Sequence, residues 1–143
     1  MKRTSLLVTC LILIYNWANA QINPAKIDII RDSFGVPHIF GKTDPDVAYG
    51  LAWAHAEDDF VTIQQSLMAG KSMLAQYQGK KGASIDYIIH LLRIPELVEE
   101  KYESELSPAF KKLLEGYAAG LNAYATAHPK EVLLKKIFPV TPK

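Results

Sequence analysis

The 143 residues are 49% hydrophobic and 22% charged, with a formal net charge of +1. That balance excludes a disordered or fibrous chain and is enough for one modest globular domain. With no basic stripe, neither nucleic acid nor an anionic membrane surface is an expected partner.

The first twenty residues stand apart from the rest. Lys2 and Arg3 precede an uncharged apolar run, Ser5 to Trp17, which ends in Ala18-Asn19-Ala20. A short positive start, an apolar stretch and a small-x-small ending describe a secretory signal peptide, residues 1–20, cut between Ala20 and Gln21. As a helix the apolar run would rise only about 20 Å, short of a hydrocarbon core of roughly 30 Å, so no stable membrane insertion is expected. A lipoprotein reading would need cleavage before Cys10, where Thr9 precedes it and the apolar run continues. The expected location is therefore periplasmic or secreted. Cleavage would remove the single cysteine, leaving residues 21–143 without a disulfide, and would lower the net charge to −1.

Next comes Lys26–Asp32, rich in β-branched residues, with Ile27 and Ile29 on one face. With Val36–Phe40 it predicts a β-hairpin closed by a three-residue turn, Gly35 supplying positive φ and Pro37 starting its strand. Thr43 is a good N-cap for a helix, with Pro45 in the first turn and Asp44 and Asp46 at its positive end. Gly50, Ala52, Ala54 and Ala56 are small enough to admit a neighbouring backbone. Helical spacing continues through Ile63, Leu67, Leu74 and Tyr77 to a terminator at Gly79. One straight helix of that length is unusual in a small domain, so breaks are expected near Ala56–Asp58 and at Gly70. A short, well-buried helix capped by Ser84 should follow, then a more exposed one starting at Pro95. The clearest helix is capped by Ser107, opened by Pro108 and ended by Pro129, with Phe110, Leu113, Leu114, Tyr117, Leu121 and Tyr124 as its apolar stripe.

Candidate chemistry concentrates at "YGLAWAHAEDDF", Tyr49 to Phe60. His38, His55, His90 and His128 include no i, i+4 pair of the kind that binds zinc on a helix, and a metal role for His55 with Glu57 and Asp58 is disfavoured. Acid/base catalysis needs two carboxyls converging on one substrate. Glu57, Asp58 and Asp59 point about 100° apart on a helix. They fit a helix junction better, with Asp58 the favoured cap and Arg31 its partner. No phosphate loop and no G-x-S-x-G turn is present. By residue pattern alone this is an exported α+β chain without a visible active site.

Three ordered motifs add a family likeness. Arg31, Asp32, Gly35, Pro37, His38 and Ile39 fit R-D-x-x-G-x-P-H-I. Ala56 and Asp58 fit A-Q-D-R, with Glu57 and Asp59 departing from it. Gly116, Tyr117, Ala118, Gly120 and Asn122 fit G-Y-A-x-G-x-N. From Ile27 onward the chain resembles the start of the α-subunit in the penicillin-acylase family of N-terminal-nucleophile hydrolases. Its E-D-D form is more similar to the branch acting on acyl-homoserine lactones and aculeacin-type lipopeptides.

The resemblance implies a hairpin followed by a mainly helical segment, part of an αββα sandwich completed by a β-subunit from the same precursor. It implies an N-acyl amide hydrolase whose nucleophile is a serine freed at the start of that β-subunit, beyond residue 143. No metal takes part in such chemistry; a structural calcium is compatible with the full enzyme, with no ligands identifiable here. Signal cleavage would expose Gln21, which has no nucleophilic side chain, and Ser33, Ser66, Ser72, Ser84, Ser104 and Ser107 lie in turns, caps or helices. No catalytic residue is therefore assigned in this chain. Residues 21–143 are expected to be the incomplete first part of the α-subunit, poorly stable alone. The alternative is an exported, non-enzymatic helical module that binds a partner through the Phe110–Tyr124 stripe.

Overall fold

A computed structural model describes residues 22–143. The expected signal segment and its Ala20–Gln21 junction lie outside the described residues.

A single-turn 3-10 helix, Pro24–Lys26, leads into the hairpin of β1 (Asp28–Arg31) and β2 (Pro37–Phe40). The strands pair antiparallel, Ile29 opposite Ile39 and Arg31 opposite Pro37. The Asp32 N–H donates to the Val36 carbonyl at 3.1 Å, which leaves Ser33, Phe34 and Gly35 as the turn. Gly35 adopts φ +83°, the conformation such a turn requires of its last residue.

Helix α1 (Asp44–Gly70) opens with a capping box, in which the Thr43 hydroxyl accepts from Asp46 N–H and the Asp46 carboxylate accepts from Thr43 N–H. Its first half presents Gly50 to the hairpin. A Cβ there would meet Ile39 Cγ2 at 2.6 Å and Ile27 Cγ2 at 3.0 Å. The strand face carrying Ile27 and Ile29 thus lies directly on the helix because position 50 has no side chain.

The helix breaks once, at Asp59 (φ −156°, ψ 72°), one residue beyond the expected interval. The cap is not Asp58, the residue expected from the sequence, but Asp59, whose carboxylate accepts from Thr62 N–H at 3.0 Å. A cap must itself be the non-helical residue so that its side chain can reach back to the third helical N–H, and Asp58 is still helical. At Gly70 the helix ends outright, with Ser72 turning the chain at φ +52°.

Helix α2 (Ala75–Gln78) is one turn long and stops at Gly79, φ +62°. Helix α3 (Lys80–Leu91) begins immediately, four residues before the expected cap. Ser84 caps nothing; its hydroxyl donates to the Lys81 carbonyl at 3.4 Å inside the helix. The positive φ at Gly79 reverses the chain so sharply that helical winding resumes at the next residue, and Gly82 then sits against the Leu74–Ala75 backbone. The expected burial of α3 is also not found: Tyr87 is 65% and Leu91 64% exposed, and within α3 only Gly82 is buried. Much of its all-round apolar pattern, Ile85, Tyr87, Ile88 and Leu91, meets no opposing surface among the described residues.

Helix α4 (Ile94–Glu105) carries Pro95 in its first turn, and only Tyr102 is buried. Helix α5 (Pro108–Ala127) is capped by Ser107, whose hydroxyl accepts from Phe110 N–H. It runs beside α1 in the same direction. Gly116 rests on the Pro45 backbone, Gly120 on Tyr49, and Tyr124 reaches Trp53 and Phe60. The main core lies here, built from Ala52, Ala56, Phe60, Leu121, Tyr124, Ala125 and Val140. Because Leu121 and Tyr124 are buried inside the chain, that end of the stripe is unavailable to an external partner, against the module reading. The tail returns over the second half of α1, where Ile137 joins Met68 and Leu74 in a smaller core.

Candidate functional site

The residues of the first two motifs meet at the hairpin and the helix junction, with Arg31 in the middle. Its position at the end of β1 aims the guanidinium across the turn toward the break in α1. One nitrogen donates to the Gly35 carbonyl at 2.8 Å. The other lies 2.8 Å from Asp58 Oδ1 and 3.1 Å from Glu57 Oε2, and approaches the Ala54 carbonyl at 3.5 Å. The expected Arg31–Asp58 pair is thus present, and it includes Glu57. The Asp58 carboxylate first, and Glu57 second, hold the Arg31 guanidinium still more firmly in its charged form. Glu57 is further held by the Trp53 indole N–H at 2.9 Å.

Asp32 folds the turn around its own carboxylate. Oδ1 accepts from Phe34 N–H at 2.8 Å and Val36 N–H at 3.0 Å, while Oδ2 lies 3.3 Å from His38 Nε2. These backbone donors, Val36 foremost, favour the ionised carboxylate and hold it below the usual range. Pro37 has no N–H to give and sits at the strand start, where none is needed.

The third motif is placed by α5. Gly116 and Gly120 make the helix–helix contact, and Tyr117 turns its hydroxyl to His55 Nδ1 at 3.1 Å. Burial pushes the Tyr117 phenol up. Asn122 uses both ends of its amide on one residue: Nδ2 donates to the Val140 carbonyl at 2.9 Å, and Oδ1 accepts from Val140 N–H at 2.6 Å.

Three residues hold positioning roles that the sequence alone does not assign to them. Asp59 was legible: an acid three residues before Thr62 at a suspected junction is a cap signal. Fully buried Gln64 was not, although it donates to the Glu131 carbonyl at 3.0 Å and accepts from Leu133 N–H at 2.8 Å. Nor was Asp86, whose carboxylate accepts from Leu74 N–H at 2.9 Å and Ala75 N–H at 2.8 Å and so caps α2 from another helix. Neither has a local sequence signature, since the partners that define these roles lie at least eleven residues away.

Chemically, these groups are occupied. The acids around Arg31 are ion-paired or hydrogen-bonded rather than facing one another across a substrate. The hydroxyls of Ser66 and Ser104 donate to carbonyls of their own helices, and that of Ser107 caps α5. No group of three His, Cys, Asp or Glu side chains able to hold a metal exists among the described residues. An open groove of about 570 Å³ runs between the second half of α1, α4 and α5. Its floor is apolar, with Leu67, Val98 and Leu121 among its lining residues.

The profile of the penicillin amidase family matches residues 26–142, a span that takes in every motif residue of this cluster. The chain belongs to the penicillin amidase family. It is 28% identical over 152 aligned positions to penicillin G acylase from Escherichia coli, covering 99% of this chain and 18% of that protein. It is 27% identical over 113 positions to the acyl-homoserine lactone acylase PvdQ of Pseudomonas fluorescens, covering 73% of this chain and 14% of that one. The chain therefore spans less than a fifth of these relatives' length. The fold matches a thermostable penicillin G acylase from Alcaligenes faecalis, with a TM-score of 0.67 at 22% identity, over 81% of this chain and 66% of that one. Within this penicillin amidase segment, the Arg31 cluster, the glycine pair and Asn122 build scaffold.

Proposed function

We propose that the chain is the N-terminal part of the α-subunit of an exported N-acyl amide hydrolase. The observation that carries this is the family match over residues 26–142 in a chain that spans less than a fifth of its relatives. The motif residues' structural engagement supports it: side chains bound to one another and to backbone position a fold and leave attack on an amide to another part of the protein.

In this reading a serine at the start of a β-subunit from the same precursor attacks the amide carbonyl, with its own α-amine as base. An α-amine with a pKa of about 7.7–8 is partly neutral at working pH and can take that proton. Amide N–H donors stabilise the oxyanion, and water hydrolyses the acyl-enzyme. The substrate is a small N-acyl amide: a β-lactam, an acyl-homoserine lactone or a lipopeptide.

The test is expression of the natural reading frame with its own N-terminus in a Gram-negative host. Mass spectrometry should find an exported chain starting at Gln21 and a second chain starting with serine. Assays with phenylacetyl and long aliphatic acyl amides should show hydrolysis that is abolished when that serine is replaced by alanine. Hydrolysis that survives the replacement, or a mature protein ending at Lys143, overturns the reading.

A further inference from the structure

We propose that Arg31, supplied by the hairpin, compensates the charge at the C-terminal end of the first half of α1, so that docking of the hairpin stabilises the end of this helix segment at the break. The end of this segment carries an electrostatic conflict. The last turn of a helix exposes carbonyl groups and a partial negative charge. Glu57 and Asp58 occupy that turn, immediately before the non-helical Asp59, and add two negative charges where the dipole disfavours them. No lysine, arginine or histidine of the segment itself lies between His55 and the break.

The missing cation comes from the hairpin. The Arg31 guanidinium meets Asp58 Oδ1 at 2.8 Å and Glu57 Oε2 at 3.1 Å, and it approaches the Ala54 carbonyl at 3.5 Å, beside the negative end of the helix dipole. The same side chain donates to the Gly35 carbonyl at 2.8 Å, so it holds this position only while the turn is closed. A planar fork with five N–H donors can serve all of these acceptors together, and an ammonium cannot. Asp59 then starts the second segment with its own cap to Thr62. Of three consecutive acids, two share one guanidinium across the hairpin interface and one opens the next helix. This device assigns the junction no catalytic part and holds whichever substrate the full protein takes.

The test is hydrogen exchange by mass spectrometry on the full-length protein, comparing wild type, Arg31→Ala, Arg31→Lys and the triple variant Arg31→Ala/Glu57→Gln/Asp58→Asn. In Arg31→Ala, amides Glu57 and Asp58 should exchange faster by about three- to tenfold, the scale of an uncompensated charge at a helix end. The triple variant should recover their protection while the hairpin amides of Ile29 and Ile39 stay fast. Arg31→Lys should fall between, and it provides the comparison if Arg31→Ala does not accumulate. Unchanged exchange at Glu57 and Asp58 in the arginine variants overturns the proposal. So does a triple variant in which both regions remain equally fast, because hairpin packing alone would then order the helix end.

Discussion

Gly120 lies against the Tyr49 peptide: a Cβ at this position would come within 3.1 Å of the Tyr49 carbonyl carbon and 2.8 Å of Ala52 Cβ. One turn earlier, Gly116 meets the Pro45 backbone in the same way. Backbone cannot retreat as a flexible side chain can, so any substitution must push α5 away from α1. Gly120→Ala should therefore destabilise the protein by roughly 1–3 kcal/mol, the usual cost of overpacking a close contact. Urea denaturation of the full-length protein measures it. A midpoint equal to wild type would show that the two helices separate freely.

Asp58 and Asp59 should separate cleanly by mutation. Asp59→Ala removes the cap on Thr62 and should speed exchange of that amide by about fivefold, while Asp59→Asn keeps an acceptor and most of the protection. Asp58→Ala should leave Thr62 unaffected and loosen the hairpin, because its partner is Arg31. Hydrogen exchange resolved to these peptides distinguishes the two outcomes, and a Thr62 effect from Asp58→Ala would contradict the assignment.

Two amide side chains fasten the tail to the helices. Gln64 holds Glu131 and Leu133, and Asn122 holds Val140. Gln64→Leu fills similar space but leaves a backbone donor and acceptor without their partner, at a cost of about 1–3 kcal/mol. Asn122→Ala should cost a similar amount and free residues 138–140 to limited proteolysis. Thermal unfolding and protease mapping of the same variants check both, and an uncut tail in Asn122→Ala would refute the role.

The hairpin turn should respond to acid. Asp32 has a folded pKa depressed below its ordinary 3.8, chiefly by the Val36 N–H and then by that of Phe34. A carboxylate depressed on folding contributes stability that is complete above the ordinary value and is lost as pH falls through the folded one. Turn amides Phe34 and Val36 should thus lose protection below about pH 4 in wild type. Asp32→Asn keeps an oxygen acceptor and cannot titrate, so that pH step should vanish. NMR amide exchange across pH 2 to 6 reads it directly, and a persisting step would assign the transition to another group.

Much of the architecture is local and was readable for that reason. The Gly35 turn, the Thr43 capping box, the Pro95 and Pro108 helix starts and the Ser107 cap each depend on a few neighbouring residues, whose chemistry operates whatever packs nearby. Small residues from Gly50 to Ala56 announced a close contact, whereas Gly116 and Gly120 stood out only as motif positions until the structure laid them on α1. The choice between Asp58 and Asp59 was harder, because adjacent acids carry the same cap propensity and only the backbone angle at the break distinguishes them. Ser84 misled for a related reason: a serine before an apolar run is a cap only if the helix starts there, and the reversal at Gly79 starts it earlier.

The sequence by itself determined most of the elements, the order of the motifs and the family, because these rest on local stereochemistry and on residue types at short spacing. Tertiary structure decided what the motif residues do. It joined Arg31 to acids 26 and 27 positions away, gave Gln64 and Asn122 backbone partners in the tail, and laid two glycines on another helix. It also left the apolar surface of α3 exposed among the described residues. Hydrophobic pattern indicates how much surface a helix needs to bury, whereas the opposing surface comes from distant chain and exists only once the fold brings it there.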